Sequence, residues 1–169
     1  MRSTALATIP VGVLVERRKA KSPWADYLWR PISVLAGVPV TEAWTPMDGG
    51  KDVQLFYAGH ALIELHRTET VYYRENLASG SPLLWVVIRP AEANAQLIAV
   101  TADPAEGEAL TDAGHDIVET VAMPESVALT IQDFIAAHHV EQPFVKRRRS
   151  PPEHQVPSNG DGKERRRDG

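Results

Sequence analysis

The chain has 169 residues, of which 43% are hydrophobic and 24% are charged, which suits one globular domain with an appendage. It contains no cysteine, which excludes disulfides, thiolate zinc sites, iron–sulfur ligation and cysteine nucleophiles. The segment 146–169 holds 8 of the 18 Lys and Arg residues but only 4 of the 22 Asp and Glu residues, so a basic tail follows an acidic body. Such a tail is expected to contact an acidic partner, nucleic acid or the body itself.

The longest apolar run near the start covers residues 9–15, which is too short to span a membrane. The basic residues after it are not followed by the small-residue cleavage site of a secretory signal. We therefore expect a cytoplasmic protein that does not insert into membranes.

The first half of the chain has the patterns of β-strands. A Val-rich stretch at 9–16 predicts a strand that ends at the basic cluster 17–21. Residues 24–35 predict a second extended segment, in which Pro31 favours an edge or bulge position. Proline and glycine residues within 37–52 predict an irregular loop.

The segment 54–66 has the clearest alternation of apolar and polar residues, which predicts a strand with one face in the core. The apolar face would hold Leu55, Tyr57, Ala61, Ile63 and Leu65, and the polar face Gln54, His60, Glu64 and His66.

The second half alternates helical and strand patterns. Thr68 is placed to cap a short helix that ends near Ala78. The start and stop signals of a second helix are Asp103, Pro104, Glu106 and Gly114. Strands are predicted at 83–89, 96–101 and 117–122, and a last helix begins at Pro124.

These elements predict an α+β fold with a mixed, mainly antiparallel sheet and two or three helices. We expect a flexible N-terminus at 1–8, a single domain at 9–145 and a disordered basic tail at 146–169. The tail has no apolar periodicity to bury, so nothing offsets the entropy of ordering it.

The stretch SPWADYLWRP, residues 22–31, concentrates aromatic and charged side chains. Alternation places Trp24, Asp26, Leu28 and Arg30 on one face and Tyr27 and Trp29 on the other. Such rings suit a core, a subunit interface or a ligand groove, and the sequence leaves these readings open. A candidate interaction surface consists of Trp24, Asp26, Tyr27, Trp29, Arg30, Tyr72, Tyr73 and Arg74, aided by the tail residues Lys146, Arg147, Arg148 and Arg149.

Few residues have the spacing of a catalytic or metal site. Glu64 and His66 lie about 7 Å apart along a strand, with His60 further away, and a solvated strand face accounts for all three. His138 and His139 diverge by about 100° on a helix, so we expect them to interact with the helix dipole instead of chelating an ion. We therefore assign no catalytic residues, no metal and no cofactor.

The glycines at 49 and 50 with Lys51 do not form a phosphate-cradling loop. That loop needs an earlier glycine five residues before the Gly-Lys pair and a hydroxyl after the lysine, whereas Thr45 and Asp52 occupy those positions. We do not expect nucleotide binding through this segment.

Several motifs occur in order along the body, namely IPVGVLVERR, SPWADYLWRP, IELHRTETVYYRENL, LWVVIRP, VTADPAEGEALTDAGHDIVE and FIAAHHVEQPFVKRRR. Together they resemble a proteobacterial family catalogued as domain of unknown function 3305, from about Ile9 to Arg149. The resemblance implies a cytoplasmic protein of alphaproteobacteria and their relatives, often encoded beside a molybdenum-dependent formate dehydrogenase and its maturation factors. It supplies no catalytic residues.

The leading hypothesis is an accessory protein, more readily a binding protein than an enzyme, that supports assembly or maturation of this dehydrogenase. Its partner would be a dehydrogenase subunit or a maturation factor. One alternative is a small enzyme or binding protein for a pterin or nucleotide-like ligand. Trp24 and Trp29 would stack on its ring, and Arg30 or Arg74 would pair with its phosphate. Glu64 with His66 would handle protons.

Nucleic-acid binding through the basic tail is a third hypothesis. We do not expect it, because no aromatic residue is interleaved with the basic residues to stack on bases.

Overall fold

The computed structural model describes residues 4–21, 23, 27–91 and 95–139. Within these residues the chain forms seven strands, three α-helices and one 3-10 turn, which confirms the α+β class. In chain order they are β1 (Ala7–Lys19), β2 (Tyr27–Ala36), β3 (Thr45–Met47), β4 (Val53–Leu65), the 3-10 turn (Arg67–Glu69), α1 (Thr70–Ala78), β5 (Leu83–Pro90), β6 (Ala95–Thr101), α2 (Pro104–Ala113), β7 (Ile117–Ala122) and α3 (Glu125–His138). The predicted tail at 146–169 lies outside the described residues.

The strands are divided between two antiparallel sheets. Sheet A has the order β2-β1-β4-β3, and sheet B has the order β6-β5-β7. Strand β3 lies within the segment that the sequence predicts as a loop. It has three residues with a proline at its centre, so it is too short for an alternating pattern to be recognised.

One hydrophobic core joins the two sheets. Contacts of β4 with β6 and of β2 with β7 bring the sheets together on both sides of this core. Its most buried residues on β1 and β5 are Val11, Val13, Val15, Leu84, Val86 and Ile88. Burial of each such side chain contributes about 1.5–3 kcal/mol relative to exposure, so β1 and β5 anchor the fold.

A β-bulge in β4 changes the face to which its side chains point. Val13 of β1 pairs with Gly59, which has φ +121°. The next residue, Leu14, pairs with Tyr57, so β4 has one extra residue at this point. The prediction that Leu55 and Tyr57 share a face with the apolar residues after the bulge is therefore wrong.

Helix α1 starts differently from the prediction. A 3-10 turn follows β4, and the N–H of Glu69 donates to the carbonyl of His66. The helix begins at Thr70, whose hydroxyl donates to the carbonyl of Arg67 at 3.4 Å. Thr68 is therefore not the cap, because it lies inside the turn and its hydroxyl donates to the carboxylate of Glu69 at 3.3 Å.

The predicted start and end of α2 are confirmed. The carboxylate of Asp103 accepts hydrogen bonds from the N–H groups of Ala105 at 2.9 Å and Glu106 at 3.3 Å. The N–H of Asp103 donates to the hydroxyl of Thr101, which in turn donates to Glu106. Gly114 ends the helix with φ 73°, a conformation that glycine adopts without strain.

The pH dependence of stability should carry a contribution from Asp103. Burial raises the pKa of its carboxyl, the N–H groups of Glu106 and Ala105 oppose this rise, and the charges of Glu69 and Glu106 reinforce it. The folded state therefore binds more protons than the unfolded state. The stability from this group is present below the unfolded pKa and is lost as the pH rises through the folded pKa.

An Asp103→Asn variant tests this sign, because asparagine caps helices about as well as aspartate and does not ionise. We expect its free energy of unfolding, relative to the native chain, to increase as the pH rises from about 4 to about 7. Urea unfolding at several pH values measures this difference. A difference that stays constant or decreases over this range would contradict the assignment.

Candidate functional site

The aromatic segment of the sequence lies at one end of sheet A. Tyr27 begins β2 and pairs with Lys19 of β1, and Trp29 pairs with Arg17. Paired residues of antiparallel strands share a face of the sheet. These four side chains therefore continue the inward face of β1, which is aliphatic up to Val15 and becomes cationic beyond it.

The outward face of the same segment carries Leu28 and Arg30, as alternation predicts. Leu28 is 59% exposed and Arg30 is also exposed. Trp24 and Asp26, which the sequence groups with them, lie outside the described residues.

Trp29 belongs to a buried aromatic cluster with Trp44 and Phe56. The ring centroid of Trp29 lies 5.6 Å from that of Trp44, in an edge-to-face arrangement, and 5.9 Å from that of Phe56. Only 7% of Trp29 is exposed. In the part of the chain that the structure describes, Trp29 is thus a core residue and not an exposed contact or stacking residue.

Arg17 covers the solvent side of this cluster. Its guanidinium carbon lies 4.2 Å from the ring centroid of Tyr27, 4.9 Å from that of Phe56 and 5.6 Å from that of Trp29. All three distances are within the range of cation–π attraction, about 6 Å. The rings hold the guanidinium in a defined position at the end of the core.

A basic pocket lies next to Arg17. It is an open depression of about 260 Å³. Its lining residues are Arg17, Lys19, Tyr27, Gly50, Lys51, Asp52, Val53 and Gln54. Three cations face one carboxylate in this lining, so the pocket carries a net positive charge and favours an anionic ligand.

The rim of the basic pocket is the hairpin loop between β3 and β4. A Cβ at Gly49 would overlap the carbonyl oxygen of Val53, so the tight turn requires glycine. A Cβ at Gly50 would meet no atom within 4 Å, which leaves the backbone open to the pocket. Lys51 thus reaches the pocket from a hairpin and not from the phosphate-cradling loop that the sequence excludes.

The second part of the predicted surface lies at the opposite end of sheet A. The start of β1 pairs with the end of β4, which leads into α1, whereas the end of β1 pairs with the start of β2. A strand of 13 residues spans about 40 Å. The residues Tyr72, Tyr73 and Arg74 of α1 therefore do not join Tyr27 and Arg30 in one surface.

Tyr73 is a core residue with 2% exposure, unlike its neighbour Tyr72. Its hydroxyl accepts a hydrogen bond from the N–H of His66 at 2.9 Å. Burial raises the pKa of Tyr73 to about 12, although this hydrogen bond lowers it in part. The hydroxyl therefore stays protonated at neutral pH and serves the packing of α1.

Arg74 and His139 connect α1 to the end of α3. Arg74 Nη1 lies 3.2 Å from His139 Nε2, and His139 Nδ1 lies 3.0 Å from the hydroxyl of Thr70. A guanidinium can only donate hydrogen bonds, so His139 Nε2 accepts the one from Arg74. The other ring nitrogen of His139, Nδ1, then donates its hydrogen to the hydroxyl of Thr70. The neighbouring His138 packs its ring 4.6 Å from that of Phe134.

Glu64 and His66 lie 3.6 Å apart between Oε2 and Nε2, close enough for an ion pair. They lie at the end of sheet A near α1, far from the basic pocket. The described members of the set proposed for a pterin-like ligand are thus not brought together, and within the described residues no three His, Asp or Glu side chains are grouped to hold a metal.

Sequence reasoning missed the residues that form the basic pocket, especially Arg17, Lys19 and Lys51. A usable signal was the alternation of β1, since Val11, Val13 and Val15 continue without interruption to Arg17 and Lys19. This signal is lost when the basic cluster at 17–21 is taken as the end of the strand.

Among the described helices, none is long and apolar enough to cross a membrane. No curated protein and no solved structure matches the chain. Residues 10–148 match one protein family over most of the chain, including both sheets and all three helices described above. The chain belongs to the family described as "Protein of unknown function (DUF3305)".

Proposed function

We propose that the protein is a non-enzymatic, protein-binding accessory factor that supports assembly or maturation of a molybdenum-dependent formate dehydrogenase. The nature of the partner comes from the gene context that the family resemblance implies. The observation that carries the binding role is the exposed pair of Leu28 and Arg30 on the outward face of β2.

This pair, which we call the β2 surface, combines an exposed apolar side chain with an arginine on one face of the strand. Leu28 is 59% exposed, and Arg30, which is also exposed, lies two residues further along β2. Arginine is enriched in interfaces, where burial of a few side chains supplies most of the affinity. Strand β2 is also at the edge of sheet A. These features support a partner that buries Leu28 and pairs a carboxylate with Arg30.

Deletion of the gene, followed by complementation, tests this function. We expect formate oxidation in cells grown with formate to fall on deletion and to return with the intact chain. A Leu28→Ala/Arg30→Glu variant should restore less than about a tenth of the activity, because it removes the apolar contact and reverses the charge. The molybdenum content of the purified dehydrogenase should fall in parallel, which separates maturation from catalysis.

The matched control is Leu129→Ala/Arg67→Glu, which makes the same two changes at exposed residues elsewhere. Leu129 is 53% exposed on α3, and Arg67 is exposed in the 3-10 turn. This variant should restore activity fully. Formate oxidation that survives deletion, or equal activity of the two variants, would contradict the proposal.

The alternative, a small enzyme or binding protein for a pterin or nucleotide-like ligand, has one supporting feature. It is the basic pocket, where Tyr27 adjoins Arg17, Lys19 and Lys51. Of the residues that the sequence proposed for this role, those that the structure describes do not line this pocket, so the alternative now depends on the pocket alone.

A further inference from the structure

We infer that the basic pocket binds the phosphate group of a small phosphorylated molecule. This site is independent of the proposed protein partner, since the β2 surface residues Leu28 and Arg30 point to the opposite face of sheet A. Either proposal can fail without the other.

Three cations from two segments of the chain meet at this pocket. Arg17 and Lys19 are two residues apart on β1 and share its inward face, and Lys51 approaches from the hairpin loop. Lysine ammonium groups and a guanidinium are the side chains that bind phosphate oxygens most strongly. Their convergence places positive charge on more than one side of a bound anion.

The guanidinium of Arg17 is positioned before any ligand arrives. Aromatic rings of Tyr27 and Phe56 contact it at 4.2 and 4.9 Å to their centroids. Contact with ring faces leaves the N–H donors, which lie in the plane of the guanidinium, able to bind phosphate oxygens. A pre-positioned donor loses little conformational entropy on binding, which favours affinity.

Ion pairs among the described residues do not neutralise the charges of the pocket. Among the residues that the structure describes, the ion pairs of Arg18, His66 and Arg89 leave Arg17, Lys19 and Lys51 without a carboxylate within 4.0 Å. Asp52 is the one acidic residue of the described lining. It weakens the attraction for any anion, but the net charge of the lining stays positive, and a doubly charged phosphate therefore gains more than a singly charged carboxylate.

The size of the pocket suits one phosphate group with part of its carrier. Sites for whole drug-sized ligands occupy about 300–1,000 Å³, whereas this depression has about 260 Å³ and is open to solvent. Gly50 leaves its backbone accessible at the rim, and the partly exposed ring of Tyr27 can contact the organic part of the ligand. A small phosphate ester fits these features better than a polymer, which would need a continuous basic groove.

Titration of the full-length, isotope-labelled protein tests the inference through the amide resonances of Gly50 and Lys51. The probes are inorganic phosphate, pyrophosphate, acetate and a single-stranded oligonucleotide, at constant ionic strength. We expect saturable shifts with phosphate and tighter binding of pyrophosphate. Acetate should bind at least about fivefold more weakly than phosphate, because it carries a single charge.

Lys19→Ala and Lys51→Ala should each weaken pyrophosphate binding about fivefold or more, since each removes one charge-assisted contact. Lys21→Ala is the matched control, because Lys21 is exposed two residues after Lys19 and does not line the pocket. It should bind as the native chain does. Absence of saturable binding, equal effects of the three lysines, or an oligonucleotide that binds more tightly than pyrophosphate would overturn the inference.

Discussion

Replacement of Asn76 by alanine should lower the free energy of unfolding by about 3 kcal/mol, because it leaves several buried backbone groups without partners. Asn76 is 5% exposed on α1. Its amide nitrogen donates to the carbonyls of Leu83 at 2.7 Å and Ala102 at 3.0 Å, and its amide oxygen accepts from the N–H of Leu83 at 2.9 Å. One side chain thus joins α1 to the start of β5 and to the end of β6.

Urea unfolding measures this effect, with Glu75→Ala as the control on the same helix. Glu75 is exposed, so its removal should change stability by no more than about 0.5 kcal/mol. An Asn76→Asp variant adds a second test. Its carboxylate would face two carbonyl oxygens, so it should be less stable at pH 7 than at pH 4, where the protonated group can donate. Equal stability of Asn76→Ala and Glu75→Ala would refute the role of Asn76.

Replacement of Gly107 by alanine should destabilise the protein by about 2 kcal/mol, although alanine favours a helix over glycine by about 1 kcal/mol. A Cβ at this buried position of α2 would overlap three ring atoms of Trp85. The helix lies directly on the indole of β5, so either the ring or the helix must move. Overpacking of this kind typically costs about 1–3 kcal/mol beyond any gain in propensity.

A double-mutant cycle with Trp85→Leu identifies the cause. The smaller side chain makes room for the new methyl group, so Gly107→Ala should destabilise the Trp85→Leu protein less than the native protein. Glu108→Ala, at the exposed neighbouring position, controls for the introduction of an alanine where α2 is not buried. If Gly107→Ala instead stabilised the native protein, the close packing of α2 on Trp85 would be wrong.

Local signals allowed most elements to be predicted from the sequence. Helix α2 is defined by Asp103 at its start and by Gly114 at its end, and both act through atoms of their own segment. Strands β5, β6 and β7 have apolar runs bounded by turn residues, and their observed bounds differ from the predicted ones by a residue at most. Such features need no knowledge of the rest of the fold.

Features that depend on pairing between distant segments were not predicted. Strand β1 continues through Arg17 to Lys19 because backbone ladders with β2 and β4 hold it on both sides, whatever the polarity of its side chains. The bulge at Gly59 likewise becomes visible only in the register with β1. The basic pocket needs β1, β2 and the hairpin loop together, so single-segment patterns could not reveal it.

The aromatic residues illustrate the same limit at the candidate surface. Aromatic residues that are close in sequence differ sharply in burial: Trp29 and Tyr73 lie in the core, whereas Tyr27, on the same face of β2 as Trp29, and Tyr72 on α1 are partly exposed. The sequence left core and interface open for Tyr27 and Trp29, and it placed Tyr72 and Tyr73 on the candidate interaction surface. Tertiary packing determines which ring is buried, and on α1 the Tyr73 hydroxyl accepts a hydrogen bond from the N–H of His66 in its buried position.

Co-purification from cells grown with formate tests the central claim most directly. The tagged native chain should retain a formate dehydrogenase subunit or maturation factor, identified by mass spectrometry. The Leu28→Ala/Arg30→Glu variant should retain at least about tenfold less, while Leu129→Ala/Arg67→Glu retains as much as the native chain. Circular dichroism should show that all three are folded. Two results would contradict the assignment of the β2 surface as the binding site of an accessory factor. In the first, the native chain retains neither kind of protein. In the second, the two variants retain equal amounts.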